Sequence, residues 1–188
     1  MATIYLFRHG QSEFNLKKIF TGWLDPDLTP LGVDQAKALG VMLKDKNIDL
    51  AITSKLIRAQ KTLDEVLVFH PECQETLIDN RIIERSYGDL AGKTHQEILE
   101  KFGQEQYEKW HRGWDDQPPA GESFADVEVR VQDFINDLKE KYSGKEVGIA
   151  ISAHGNSIRL FRKIMENASI KDTCSWTIPY DKYFEYQI

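Results

Sequence analysis

The run Val147-Gly148-Ile149-Ala150-Ile151-Ser152 most limits what this chain can fold into. It is short, apolar and rich in β-branched residues, which marks a central strand, and it leads into the polar cluster Ala153-His154-Gly155-Asn156-Ser157. Thr3-Ile4-Tyr5-Leu6-Phe7 repeats the pattern as a buried strand that runs straight into Arg8-His9-Gly10. Leu50-Ala51-Ile52-Thr53 is a third short strand, followed by Ser54. Helical spacing separates these runs. Thr29 caps a helix with Pro30 at its first position and Ala36, Leu39 and Leu43 on its buried face. A second helix carries Leu56, Ala59, Leu63 and Val66, and a third opens at Ser123-x-x-Asp126 and carries Phe124, Val127, Val131, Phe134 and Leu138. Strands alternating with helices predict a three-layer α/β/α fold with a mostly parallel central sheet, in a single domain over 1–188. Tyr183 to Ile188 reads as a last strand, and residues 79–122 read as less regular.

In such sheets ligands bind at the carboxyl ends of the strands. Three polar clusters fall there: Arg8-His9-Gly10, the turn from Ser54 to Arg58, and His154-Gly155-Asn156. Cleaving a phosphate ester needs a nucleophile, positive charge around the phosphoryl group and a proton for the leaving oxygen. His9 supplies a nucleophile if one ring nitrogen is unprotonated and the other is held by a hydrogen bond. Arg8 and Arg58 supply guanidinium forks, and His154 a further donor. Taken singly, each has a plainer reading: Arg-His-Gly is a short motif, Arg58 a solvated helix arginine, His154 a satisfied histidine at a strand end. Their joint placement on three strand ends predicts phosphoryl transfer through a phosphorylated His9.

Charge narrows the partners. The 188 residues include 24 Lys and Arg against 30 Asp and Glu, a net charge of -6, which disfavours nucleic acid and membrane surfaces as partners. A small phosphorylated substrate would need its positive charge gathered in one pocket. No apolar run approaches the roughly 20 residues that cross a bilayer, and the N-terminus does not read as a signal peptide. The two cysteines, Cys73 and Cys174, lack C-x-x-C spacing, so a cytoplasmic setting is expected.

The residues from Arg8-His9-Gly10-Gln11-Ser12-Glu13-Phe14-Asn15, through Phe20-Thr21-Gly22-Trp23 and Thr53-Ser54-Lys55-Leu56-Ile57-Arg58-Ala59, to Glu84-Arg85-Ser86-Tyr87-Gly88, Gly121-Glu122-Ser123 and Ala153-His154-Gly155-Asn156 carry a resemblance over nearly the whole chain. The sequence resembles the histidine phosphatase superfamily and, within it, the bisphosphoglycerate-dependent phosphoglycerate mutases. The resemblance implies His9 as phosphoacceptor, Arg8 and Arg58 as phosphoryl clamps, His154 as electrophilic stabiliser and Glu84 as general acid and base. Without it, Glu84 reads as a surface partner of Arg81 or Arg85, Thr21-Gly22 as a turn and Tyr87 as a half-buried aromatic. The resemblance also implies substrate contacts from Ser12, Asn15, Thr21, Gly22, Tyr87, Gly155 and Asn156, with Arg112 on a distal carboxylate or phosphate. The implied reaction interconverts 3-phosphoglycerate and 2-phosphoglycerate, primed by 2,3-bisphosphoglycerate and using no metal.

Departures from the family pattern keep a second reading open. Histidine stands at His95 where a distal lysine is usual, with Lys93 two residues away as a possible substitute, and His111-Arg112 replaces an arginine pair. Weaker grip on a second phosphate and the absence of a tail beyond the last strand point to a phosphomonoesterase using the same phosphohistidine. A missing insertion before Gly121 leaves monomer or homodimer open. A non-catalytic scaffold would be expected to lose His9, Arg58, Glu84 or His154, and all four are present. A metal site at His9, His154 and a carboxylate lacks any close ligand spacing.

Overall fold

The computed structural model describes residues 1–188. Five strands, β1 (Thr3–Arg8), β2 (Leu50–Thr53), β3 (Glu75–Ile78), β4 (Gly148–Ala153) and β5 (Tyr183–Gln187), form one sheet in the order β3-β2-β4-β1-β5. All neighbours are parallel except β5, which runs antiparallel to β1. Helices α1 (Glu13–Leu16), α2 (Pro30–Leu43), α3 (Ile57–Leu67), α4 (His95–Arg112), α5 (Phe124–Tyr142), α6 (Gly155–Glu166) and α7 (Ile170–Ser175) complete the three-layer architecture expected from the strand and helix alternation.

The period-2 alternation of strand side chains divides the core in two. Ile4 and Leu6 of β1, with Ile52, Ile149 and Ile151, face α5 and α6 and pack on Phe124, Val131, Phe134, Leu160 and Phe161. Tyr5 and Phe7, with Ala51 and Ala150, face the other way onto Leu39, Leu43, Leu63 and Val66 of α2 and α3. β4 is buried at all six positions, as a strand covered on both faces must be.

Several helix starts are written locally. Thr29 Oγ1 accepts the Gly32 N–H at 3.0 Å with Pro30 at the first position, and Ser123 and Asp126 form a reciprocal capping box at α5. The expectation of irregular structure over 79–122 is corrected: His95–Arg112 is an 18-residue helix with its own Thr94–Glu97 capping box. Its pattern is weak because only Ile98 is buried and Gly103, at φ 80° and ψ 166°, interrupts the helical backbone. β3 also has no sequence signature, since all four of its residues are exposed at the sheet edge.

Register places the chemistry. β1 and β4 pair with Arg8 opposite Ala153, and the His9 N–H donates to the Ala153 carbonyl at 3.0 Å, so His9 and His154 leave the sheet side by side. The chain then turns sharply at Gly10 against the first turn of α2. A Cβ on Gly10 would lie 2.1 Å from the Gly32 carbonyl oxygen, so this close approach requires glycine.

Candidate active site

A cavity of about 190 Å³ opens at the carboxyl ends of β1, β2 and β4. His9 forms its floor and is fully buried. Its Nδ1 lies 2.7 Å from the Gly10 carbonyl oxygen, which can only accept, so Nδ1 carries the proton. Nε2 is therefore the lone-pair nitrogen, and Arg58 Nε donates to it at 3.3 Å. Burial first, then the Arg58 and Arg8 guanidiniums, push the His9 pKa well below the usual histidine range. The imidazole is held neutral with its nucleophilic nitrogen aimed.

The cations around it are fixed by backbone. Arg58, the second residue of α3, donates from Nη1 to the Leu24 carbonyl at 2.8 Å and from Nη2 to the Gly22 carbonyl at 2.9 Å. Burial lowers its pKa to about 10, still charged at neutral pH. Arg8 donates from Nη1 to the Ile178 carbonyl at 2.8 Å, and Tyr180 stacks 4.1 Å from its guanidinium. His154 lies with its ring centre 5.0 Å from that of His9. Ser54 Oγ lies 2.7 Å from His154 Nε2 and accepts the Leu56 N–H at 3.3 Å. With the Ser54 hydroxyl donating to Nε2, the ring proton stands on Nδ1. His154 Nδ1 and Arg8 Nε are both buried without a protein partner. Two orphaned donors beside a neutral nucleophile make a receptor for phosphoryl oxygens.

Glu84 is 8% exposed and lines the same cavity, so a surface ion pair does not describe it. Its Oε1 accepts the N–H groups of Arg85 at 2.8 Å and Asn156 at 3.1 Å, and Oε2 has no protein partner. Tyr87 accepts from Asn156 Nδ2 at 3.1 Å. Asn15, Thr21, Gly22, Tyr87, His95, Arg112, Gly155 and Asn156 all line the cavity.

Two of the residues singled out in the sequence are placed elsewhere. Ser12 is buried as the cap of α1 and acts on Asn15, donating its hydroxyl to Asn15 Oδ1 at 3.0 Å. Lys93 is exposed and its ammonium bonds to the Asp89 carbonyl on its own turn, because the capping box at Thr94 faces it outward. Lys93 thus does not line the cavity. His95 does line the cavity, but as an aromatic: it stacks on Phe20 with ring centres 4.1 Å apart and its Nδ1 meets Tyr107 Oη at 2.7 Å. Burial, then Arg112 and Lys18, lower its pKa. His111 beside it is pushed down to about 3 by burial and Arg112.

The other cations lining the cavity are Arg112 and Arg159, the latter a residue to which the sequence reading assigned no role. Arg159 is buried, anchored by Nε and Nη2 on the Trp176 carbonyl at 2.9 and 2.7 Å, and burial lowers its pKa to about 9. Its signal was its spacing: it lies one helical turn beyond Gly155 and Asn156, on the same face of α6. Arg112 lines the cavity at the end of α4 and forms no ion pair with the protein.

The family model described as the histidine phosphatase superfamily (branch 1) matches residues 4–183. The chain belongs to that superfamily. Among its relatives is a 2,3-bisphosphoglycerate-dependent phosphoglycerate mutase of Rhizobium meliloti, 45% identical over 169 residues that cover 87% of this chain and 79% of that protein. Among solved structures, Bacillus stearothermophilus YhfR superposes with a TM-score of 0.88 at 26% identity, over 98% of this chain and 90% of that one. The α-ribazole phosphatase of Shigella flexneri superposes with a TM-score of 0.84 at 26% identity, covering 97% and 89%. As a histidine phosphatase superfamily member, the chain carries its polar clusters where the fold places its ligand crevice.

Proposed function

We propose that the protein is a phosphoglycerate mutase that interconverts 3-phosphoglycerate and 2-phosphoglycerate through phospho-His9, with 2,3-bisphosphoglycerate as the priming ligand. The observation that carries the chemistry is the aimed, unprotonated Nε2 of His9, set between Arg58 and the orphaned donors of Arg8 and His154. The similarity to mutases at 45% identity carries the choice of reaction. As the bond from His9 Nε2 to phosphorus forms, the bond from phosphorus to the sugar-acid oxygen breaks, and Glu84 gives its proton to that oxygen. Arg8, Arg58 and His154 hold the three equatorial oxygens through the transfer. Phospho-His9, once primed in this way by 2,3-bisphosphoglycerate, gives its phosphoryl group to the free hydroxyl of 3-phosphoglycerate, whose proton Glu84 takes. The bisphosphoglycerate formed turns round and returns its other phosphoryl group to His9, which releases 2-phosphoglycerate and restores phospho-His9. Arg112 and Arg159 would hold the priming ligand's second anionic group; Asn15, Thr21, Gly22, Tyr87 and Asn156 would orient it.

A specific observation supports a phosphomonoesterase as the second reading. The cavity wall formed by Phe20, His95 and His111 is neutral and aromatic, so it adds no cation to Arg112 and Arg159 for gripping a second phosphate. An enolase-coupled assay on 3-phosphoglycerate, with and without 2,3-bisphosphoglycerate and with inorganic phosphate followed in parallel, separates the two. Stimulated isomerisation with little phosphate release supports the mutase. Phosphate release without isomerisation overturns it in favour of the phosphatase.

A further inference from the structure

We propose that Arg130, outside the cavity, is a positioning residue that sets the reach of Glu84 as proton donor, with Glu122 as its anchor; this rests on the acid role of Glu84 proposed above. Glu84 lies on a stretch of irregular backbone between the 3-10 turns Asn80–Ile82 and Gly88–Leu90. No helix or sheet ladder holds that stretch. Arg130, on α5, holds it instead: Nη1 donates to the carbonyls of Arg81 at 2.7 Å and Ile83 at 2.8 Å, and Nη2 to that of Glu84 itself at 3.2 Å. Its remaining donors go to Glu122, Nε to Oε1 at 2.9 Å and Nη2 to Oε2 at 3.0 Å. All five guanidinium N–H groups are used.

Glu122 closes the clamp from the other side. Its Oε2 accepts the Ser86 N–H at 2.7 Å, and its own N–H donates to the Ser86 carbonyl at 2.9 Å. The acid is thus gripped on both flanks by one ion pair, and its carbonyl also accepts the Trp23 indole N–H at 2.8 Å. Lysine would keep the charge of Arg130 but could not span three carbonyls and a carboxylate, because its donors radiate from one point. The arginine does not line the active-site cavity, and Arg130→Lys keeps the positive charge that reaches His154, so a changed ratio in that variant runs through the backbone of Glu84.

Proton donation matters for a poor leaving group and little for a good one. The experiment is therefore rapid-quench measurement of His9 phosphorylation by 2,3-bisphosphoglycerate, which must expel an alkoxide, and by p-nitrophenyl phosphate, which expels a stable phenolate. The ratio of the two rates is compared in wild type, Glu84→Gln and Arg130→Lys. For Arg130→Lys the ratio is expected to fall tenfold or more, in the direction of Glu84→Gln, with the KM for each donor changed less than about threefold. Parallel loss on both donors, or an unchanged ratio, overturns the inference and leaves Arg130 a purely structural clamp. A Glu84→Gln ratio equal to wild type overturns the acid role of Glu84 and this inference with it. If Arg130→Lys does not fold, Glu122→Gln, which keeps the shape of the anchor, is expected to lower the ratio in the same direction.

Discussion

At the scale of single residues, the protonation of His9 is the fact on which the chemistry turns. Replacing His9 with alanine should abolish activity and the acid-labile phosphate on the protein together; full activity in that variant would remove the phosphohistidine mechanism altogether. The same burial predicts a pH dependence of stability. His9, His111 and His154 all have folded-state pKa values lowered by burial, so below about pH 6.5 the unfolded chain binds protons that the folded chain does not. Their contribution is fully present above about pH 6.5 and is lost as the pH falls from there toward the folded values. The expected slope approaches about 1.4 kcal/mol per pH unit for each histidine. Urea unfolding of the ligand-free protein at pH 7.5, 6.5 and 5.5 measures it, and a flat profile would mean that these imidazoles are protonated in the fold. His9, Arg58 and His154 were legible in the sequence because each stands at or just beyond a recognisable strand end. The distal grip was not: Lys93 and His95 are close in sequence to the acid segment, but a capping box turns one outward and Phe20 claims the other. Arg130 was invisible because the carbonyls it holds lie 46 to 49 residues away along the chain.

At the scale of elements, α4 shows why a helix can escape sequence reading yet still position a functional residue. Its surface is polar on nearly every side, and Gly103 breaks its periodicity, so neither the hydrophobic stripe nor an unbroken run announces it. The strands β1, β2 and β4 were legible for the opposite reason, since burial on both faces leaves almost no polar residue in them. Gly103 adopts a φ/ψ combination open to glycine and costly for any residue with a Cβ, although nothing lies within 4 Å of where that Cβ would be. Gly103→Ala should therefore destabilise the protein by about 1–3 kcal/mol through backbone strain alone. It should also raise the KM for a doubly anionic ligand, because Arg112 lies on the segment beyond the break. Thermal melts and steady-state kinetics check the two effects, and unchanged values in both would show that the interruption is not needed to place Arg112.

At the scale of the whole molecule, a protein of net charge -6 gathers Arg8, Arg58, Arg112 and Arg159 around one small cavity. These guanidiniums repel one another when no anion lies between them, so an anionic ligand should stabilise the fold as a whole. At a hundredfold excess over its Kd a ligand adds about 2.7 kcal/mol. 2,3-bisphosphoglycerate should raise Tm more than inorganic phosphate at equal concentration, and Arg112→Ala should shrink that difference. Equal shifts in the wild type would mean that the distal arginines hold nothing.

Trp23, half exposed, is bonded through its indole N–H to the carbonyl of Glu84, while Trp110, Trp114 and Trp176 lie only partly exposed at other places. The protein therefore carries its own fluorophore on the acid segment. Any displacement of Glu84 that stretches this bond changes the polarity around the ring, and with it the colour of the emitted light. Ligand arrival can then be followed by stopped-flow fluorescence without a label, with Trp23→Phe as the silent control.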